Sequence, residues 1–363
     1  MTLDAICRLT LGKKVSDIHL KGGRRPLVRV DGRLHDLEGA PELSAENIGQ
    51  IAFDLLTVEQ RNQFKSDLSI DLSVEIPGVG RYRANLYKQR QQISIALRSI
   101  PLRVPSIQSL GLPPSLSKLT HEERGLILLT GVTGSGKSTT LAAMVEEINQ
   151  REAKHIITIE NPIEYSFPDR KSLISQREIG TDSHSFARAL RSALRQDPDI
   201  ILVSEIRDKE TMEIALAAAE TGHLVMASLH SINAPEAITR IADFFEAHHQ
   251  QAIRHLLSSN LKAVVSQRLV PMKDGGRIAA VEIMMNRGVV GECIEQAERT
   301  KEIPDHIARG HAQYGSQSFD QSLYWYHEDG LITKELALLY SDNPDDLNLR
   351  MTGLSGDDWS RSS

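Results

Sequence analysis

Four short runs in the middle of the chain are apolar at nearly every position: Gly125–Thr130, 155–159, Ile200–Val203 and 224–227. A strand with one face in water alternates apolar and polar residues. These runs do not, which predicts strands buried on both faces, as in a parallel sheet covered by helices. Between them the spacing turns helical. Residues 139–148 carry apolar side chains three and four apart, and the alanine-rich stretch 209–221 predicts a helix closed by Gly222. The first hundred residues have a different rhythm. Ser69–Ile76 alternates with period two, and 81–87 beyond Gly78 and Gly80 predicts its hairpin partner. Residues 93–98 and 26–30 predict further strands, the latter turning at Asp31-Gly32 into 33–37. Ser44, with Asn47 in the first turn and Ile48, Ile51, Ala52 and Leu55 on one side, predicts a capped helix.

These patterns divide the chain into a small α+β domain over 1–100 and a linker over 101–120, punctuated by Pro101, Pro105, Pro113 and Pro114. An α/β core follows over 121–288, then outer helices over 289–352 and a polar tail over 353–363 expected to be disordered. No internal repeat is visible. A length of 363 residues accommodates two domains. The formal net charge of −6 argues against electrostatic capture of nucleic acid. Two cysteines, Cys7 and Cys293, are too few for a disulfide framework or a four-thiolate zinc site, and suit a reducing compartment. The first residues carry Asp4 and no long apolar core, and no apolar run reaches about 18 residues. The expectation is a soluble cytoplasmic protein without signal peptide or membrane span.

The chemistry concentrates after the first buried strand. Gly131-Val132-Thr133-Gly134-Ser135-Gly136-Lys137-Ser138, followed by Thr139, fits the phosphate-loop pattern between a strand and a helix N-terminus. Backbone N–H groups and the helix dipole there face an anion. Lys137 would reach the β- and γ-phosphates of ATP, and the Ser138 hydroxyl would ligate Mg²⁺. Hydrolysis also needs an acid to orient water and organise the metal. Glu205 follows the buried strand Ile200–Val203, at the carboxyl edge where α/β sheets place ligands, and is the first candidate for both roles. Glu160 and Glu164 follow the strand 155–159; Pro162 ends that strand and turns Glu164 toward the sheet edge, leaving Glu160 as a competitor. His230 falls on the same edge, placed to sense a γ-phosphate, although a lone histidine at a strand end is more often structural. His223 has the structural reading, and His248-His249 read as surface residues rather than a zinc site.

Four boxes thus occur in order: the phosphate loop, Thr158-Ile159-Glu160-Asn161-Pro162-Ile163-Glu164, residues 197–205, and the histidine box from Thr221 to His230. Together they resemble the secretion-superfamily hexameric ATPases, specifically the type IV pilus retraction (twitching-motility, PilT/PilU-type) motors. Ser16-Asp17-Ile18-His19-Leu20, Gly80-Arg81-Tyr82-Arg83-Ala84-Asn85 and Ser318-Phe319-Asp320-Gln321-Ser322-Leu323 extend the resemblance to nearly the whole chain. It implies a RecA-like P-loop ATPase core, a smaller PAS-like N-terminal α+β domain and C-terminal helices. It implies ATP and Mg²⁺ as cofactors, a homo-hexamer, an inner-membrane pilus platform protein as partner and, alongside, a second motor ATPase. The protein would act at the inner face of the cytoplasmic membrane, reaching it through that partner. Glu205 and Glu164 would be the catalytic acids, His230 the γ-phosphate sensor, and Arg81, Arg83 and Arg98 arginines completing the ATP site of a neighbouring subunit. The alternatives are an ATPase energising a type IV secretion (Dot/Icm-like) or conjugation apparatus, and a non-hydrolysing nucleotide-dependent regulator. Two departures stand out. Asn161 replaces the aspartate of a usual Glu-Asp-Pro, and Gly291–Ala297 matches poorly the Ala-Ile-Arg-Asn-Leu-Ile-like helix of retraction motors. Val265–Pro271 and Asn343-Pro344-Asp345-Asp346-Leu347 lean toward the accessory PilU-like branch.

Overall fold

The computed structural model describes all residues except Asp31, Leu102, 354–358 and 360–363. Two compact units result, one of Met1–Arg103 with Glu164–Ser166, the other of Val104–Ile163 with the chain from Phe167 onward. The expected turn at Asp31-Gly32 has its first residue outside the described ones.

The first unit begins with α1 (Leu3–Arg8) and builds a six-stranded antiparallel sheet of order β3-β2-β1-β6-β5-β4. Its strands are β1 (Val15–Lys21), β2 (Leu27–Val30), β3 (Arg33–Asp36), β4 (Ser69–Ile76), β5 (Gly80–Gln89) and β6 (Gln92–Ile100), with α2 (Ala45–Leu55) and α3 (Val58–Asp67) between β3 and β4. Ser44 caps α2 as its side chain predicted. Its Oγ accepts from Asn47 N at 3.1 Å while Asn47 Oδ1 accepts from Ser44 N, a reciprocal capping box. Ile48, Ile51 and Ala52 of that helix join Ile18, Leu86 and Leu97 of the sheet in one core.

In the second unit, α4 (Pro114–Leu119) precedes the alternating series β7 (Gly125–Thr130), α5 (Lys137–Arg151), β8 (His155–Glu160), β9 (Leu173–Glu178), α6 (Phe186–Ala193), β10 (Ile200–Val203), α7 (Lys209–Glu220), β11 (Leu224–Leu229), α8 (Ala234–Asp243) and α9 (Ala247–Asn260). A hairpin of β12 (Leu261–Pro271) and β13 (Arg277–Met285) completes a sheet of order β13-β12-β7-β11-β10-β8-β9. The absence of alternation has the predicted cause. Leu126 and Leu128 of β7 pack into the core under α6–α9, whereas Ile127 and Leu129 pack into the opposite core under α4 and α5. Only β13 runs antiparallel to its neighbour, so the sheet is mixed rather than wholly parallel. After β13 come α10 (Val290–Glu295), a 3₁₀ turn (Ala297–Glu302), α11 (Ile303–Arg309), α12 (His311–Tyr314), α13 (Phe319–Glu328), α14 (Lys334–Tyr340) and α15 (Pro344–Met351). Phe319, Leu323 and Leu347 of these helices bury against Val270 and Ala280 on the hairpin.

The proline-rich stretch 101–120 is for the most part not a linker. From Val104 the chain belongs to the second unit, and Ile107, Leu112, Leu116 and Leu119 are buried in its core. Pro114 opens α4, where a missing N–H costs nothing. The prolines break the periodicity that would have exposed these anchors. In the tail, Gly353 and Trp359 are described: Trp325 Nε1 donates to Trp359 O at 2.6 Å, and the Arg350 guanidinium lies 4.1 Å from the Trp359 ring centre. The remainder of the expected disorder lies outside the described residues.

Candidate nucleotide site

The carboxyl edge of the core sheet collects three loops, because β7, β11 and β10 are adjacent parallel strands in register. Thr130, Leu229 and Val203 end these strands; the next few residues are the phosphate loop, His230 and Glu205.

The loop depends on glycine for two different reasons. Gly136, at φ 95°, is the N-cap of the fifteen-residue α5 and turns the chain into it. Gly131, at φ 144°, also lies beside β12: a Cβ there would meet Gln267 O at 2.6 Å and Ser135 Oγ at 2.5 Å. Lys137 folds over the loop, its Nζ donating to Gly131 O at 2.7 Å and Val132 O at 3.0 Å. Val132, Thr133 and Gly134 are exposed, and Ser138 and Thr139 half-buried, at the positive end of the helix dipole. Ser135 Oγ and both polar side-chain atoms of Gln267 are buried without a hydrogen-bond partner among the described residues. Lone polar groups in a core are costly, and their gathering around the loop is what a site built for a polar ligand leaves when considered alone. The donor set therefore fits a nucleotide's phosphates.

Glu205 sits where β10 gives way to loop. Ser204 N donates to Ile159 O on one neighbouring strand, and Ile206 N to Ser228 O on the other, so the backbone on both sides of the acid is pinned. Its Oε2 accepts from Arg207 Nη2 at 2.5 Å, and His230 Nε2 lies 2.7 Å from Oε1. Burial works to raise the pKa of this carboxyl, but the Arg207 hydrogen bond and the charges of His230 and Arg207 outweigh it and hold the acid below the usual range. At neutral pH it is a carboxylate in direct contact with an imidazole. Glu160, the competing acid, is buried and occupied, accepting from Thr158 Oγ1 at 2.7 Å and Gln176 Nε2 at 3.0 Å. His223 has the structural role, its Nδ1 3.0 Å from Ala218 O; His248 and His249 are exposed.

A buried chain of hydrogen bonds ties this edge together from beneath. Thr130 Oγ1 donates to Ser266 Oγ (2.9 Å), which donates to Glu282 Oε1 (3.1 Å), and the same oxygen accepts from Ala234 N at the start of α8 (2.8 Å). The strand entering the phosphate loop is thereby linked to the helix that begins four residues after His230. Desolvation pushes the Glu282 carboxyl up to about 7, against the bonds from Ala234 and Ser266; Asp342 adds to the rise and Arg268 opposes it. The sign follows. Below the ordinary 4.5 the group is protonated whether folded or not, and as pH climbs from there toward 7 the unfolded chain ionises in water while the folded chain, where the charge would be buried, keeps the proton and loses stability. Glu282→Gln keeps the acceptor and removes that charge. Its stability relative to wild type should rise with pH across this window by on the order of 3 kcal/mol, as read from urea midpoints; a pH-independent difference would show the carboxyl ionised throughout.

In the first unit, Arg83 and Arg98 stand directly opposite on β5 and β6, both exposed, and Arg81 faces Glu75 across β4 and β5. Like charges in register destabilise a sheet. Part of that repulsion is offset by Asp17, whose Oδ1 accepts from Arg98 Nε at 2.9 Å; burial would raise the Asp17 pKa, but the bonds from Arg98 and Ser16 hold it down. Glu164 is exposed and belongs with this unit, so the second unit by itself brings together the loop, Glu205 and His230 but not Glu164. Sequence reasoning missed Arg207, Gln267 and Glu282. Arg207 was legible as the first cation after a strand-end acid, whereas Gln267 and Glu282 lie on the unrecognised β12–β13 hairpin.

The family described as Type II/IV secretion system protein matches residues 4–300. The chain is 40% identical over 337 residues, 93% of its length and 97% of the relative's, to the type IV pilus retraction ATPase PilT of Pseudomonas aeruginosa. It is 39% identical to the type IV pilus ATPase PilU of the same organism, covering 96% of this chain and 91% of that one. Among solved structures, the pilus retraction motor PilT with bound ADP superposes with a TM-score of 0.86 at 41% identity, over 96% of this chain and 99% of that chain.

Proposed function

The chain belongs to the Type II/IV secretion system protein family, and from that premise we propose that it is a motor ATPase coupling ATP hydrolysis to type IV pilus retraction. The observation that carries this reading is the near full-length match to a retraction ATPase. The phosphate loop, Glu205 and His230 at one sheet edge supply the chemistry it requires.

ATP provides the phosphoryl group transferred to water, and Mg²⁺ neutralises its charge. The hard oxygens of Ser138 and Glu205 suit that ion. Lys137 exchanges two backbone carbonyls for phosphate oxygens, which are stronger acceptors for an ammonium. Glu205 orients the attacking water. His230, already against Glu205, couples loss of the γ-phosphate to α8, whose Arg240 Nη1 donates to His230 O. In a homo-hexamer, Arg81, Arg83 and Arg98 of a neighbouring subunit stabilise transition-state charge, and Glu164 assists as a second acid. Hydrolysis then drives rigid-body motion against a pilus platform protein at the inner face of the cytoplasmic membrane, with a second motor ATPase acting beside it. No helix among the described residues is long and apolar enough to cross a membrane.

Deleting the gene, in a background also lacking any second retraction motor, should raise the number of surface pili and abolish surface motility. Wild type restores both; Lys137→Ala restores neither. Unchanged pili and motility would move the chain to a secretion apparatus.

A further inference from the structure

We propose that Cys293, Glu302 and His306 form a binding site for one zinc-class divalent cation, in the second unit and separate from the nucleotide site. One ligand atom from each lies within 4.8 Å of the others, and no other such triad occurs among the described residues. Cys293 lies on α10 with its side chain fully buried. Glu302 ends the 3₁₀ turn and His306 follows it by four residues within α11, so the two side chains share one helical face.

Distance and donor chemistry agree on the ion. Cys293 Sγ and Glu302 Oε2 are 4.0 Å apart. Tetrahedral zinc, with bonds of about 2.3 Å to sulfur and 2.0 Å to oxygen, sets that separation near ~3.5 Å. Closure is a shift of about half an ångström, within reach of one glutamate rotamer. The imidazole of His306 makes no hydrogen bond or ion pair among the described residues, unlike the rings of His249, His255 and His311. A sulfur, an imidazole nitrogen and a carboxylate oxygen suit zinc or cobalt, and disfavour magnesium and calcium, which prefer oxygen alone. Arg299 is the group that competes. It bonds Glu302 Oε2 at 3.1 Å and Glu292 Oε2 at 2.8 Å, so when Glu302 turns to a cation the guanidinium keeps Glu292 as its partner. On binding, the Cys293 thiol loses its proton to solvent and the thiolate becomes a ligand, with water in the fourth position. The ion staples α10 to α11. It does so in the segment, Gly291 onward, where the sequence departs from the helix usual in retraction motors.

The test uses the full chain, stripped with chelator and free of nucleotide. Zn²⁺ alone should bind at one per chain and raise the thermal midpoint. Co²⁺ alone should give tetrahedral visible bands and a thiolate-to-cobalt charge-transfer band. His306→Ala and Glu302→Gln should each weaken Zn²⁺ binding at least about tenfold, and Cys293→Ser should remove the charge-transfer band. His248→Ala, at an exposed histidine pair, should change nothing. Absence of stoichiometric binding, or equal affinity in His306→Ala and Glu302→Gln, overturns the site. These two positions are only partly buried, so their variants decide the matter even if Cys293→Ser fails to fold.

Discussion

Glu205→Gln should bind ATP as wild type does and hydrolyse it about 10²–10⁴-fold more slowly, the range lost with a positioned general base. The amide preserves size and still accepts from Arg207, so the pinned backbone at Ser204 and Ile206 has no reason to move. What disappears is the negative charge, and with it the attraction to His230 and the basicity toward water. The same geometry predicts the acid limb of the pH profile. Because Arg207 and His230 hold the Glu205 carboxyl below its ordinary range, wild-type turnover should persist to lower pH than an unassisted glutamate would permit, and Arg207→Ala should move that limb upward. Phosphate release at saturating ATP measures the first effect, and nucleotide fluorescence shows that binding survives. Turnover near wild type in Glu205→Gln would transfer the catalytic role to Glu164.

Lys137→Ala should act on the other side of the reaction, weakening ATP binding by roughly 10²–10⁴-fold if two charge-assisted hydrogen bonds of about 1.5–3 kcal/mol each are lost. The loop itself should survive. Gly131 is locked against Gln267 O, and α5 buries most of its first three turns, so the loop's shape does not depend on the lysine. Of the two carbonyls that Lys137 releases, that of exposed Val132 is open to water in the lysine's place, and that of Gly131 is buried. The measurement is a thermal melt with and without ATP. Wild type should gain several degrees at saturating ligand, while the variant should melt close to wild type without ATP and gain nothing from it. A variant that still shifts with ATP would show that the backbone cradle alone supplies the affinity.

These two predictions rest on residues whose roles are local in sequence, and local roles are what the chain declares openly. A phosphate loop needs glycine, lysine and serine at fixed spacing between a strand and a helix, so the site at 131–138 can be read without coordinates. The same holds for buried strands that fail to alternate, and for the Ser44–Asn47 capping box, because each pattern arises from backbone geometry over a few residues. What sequence could not place depends on contacts between distant segments. The β12–β13 hairpin escaped because its middle, Ser266, Gln267 and Arg268, is polar; Ser266 and Arg268 are needed there because Thr130, Glu282 and Asp342 meet them from 16 to 136 positions away. The stretch at 104–119 looked like a linker because prolines erase periodicity, and only packing shows Ile107 and Leu116 in the core. Cys293 and His306 are 13 positions apart with no ligand spacing to link them, and only the fold of α10 onto α11 brings them to one point. Sequence by itself determined the α/β class and the chemistry of the loop, because short-range backbone geometry dictates both. Tertiary structure decided which acid meets the histidine, which polar groups lie orphaned around the loop and which side chains share a buried charge, because a hydrogen bond across a sheet depends on register rather than on spacing along the chain.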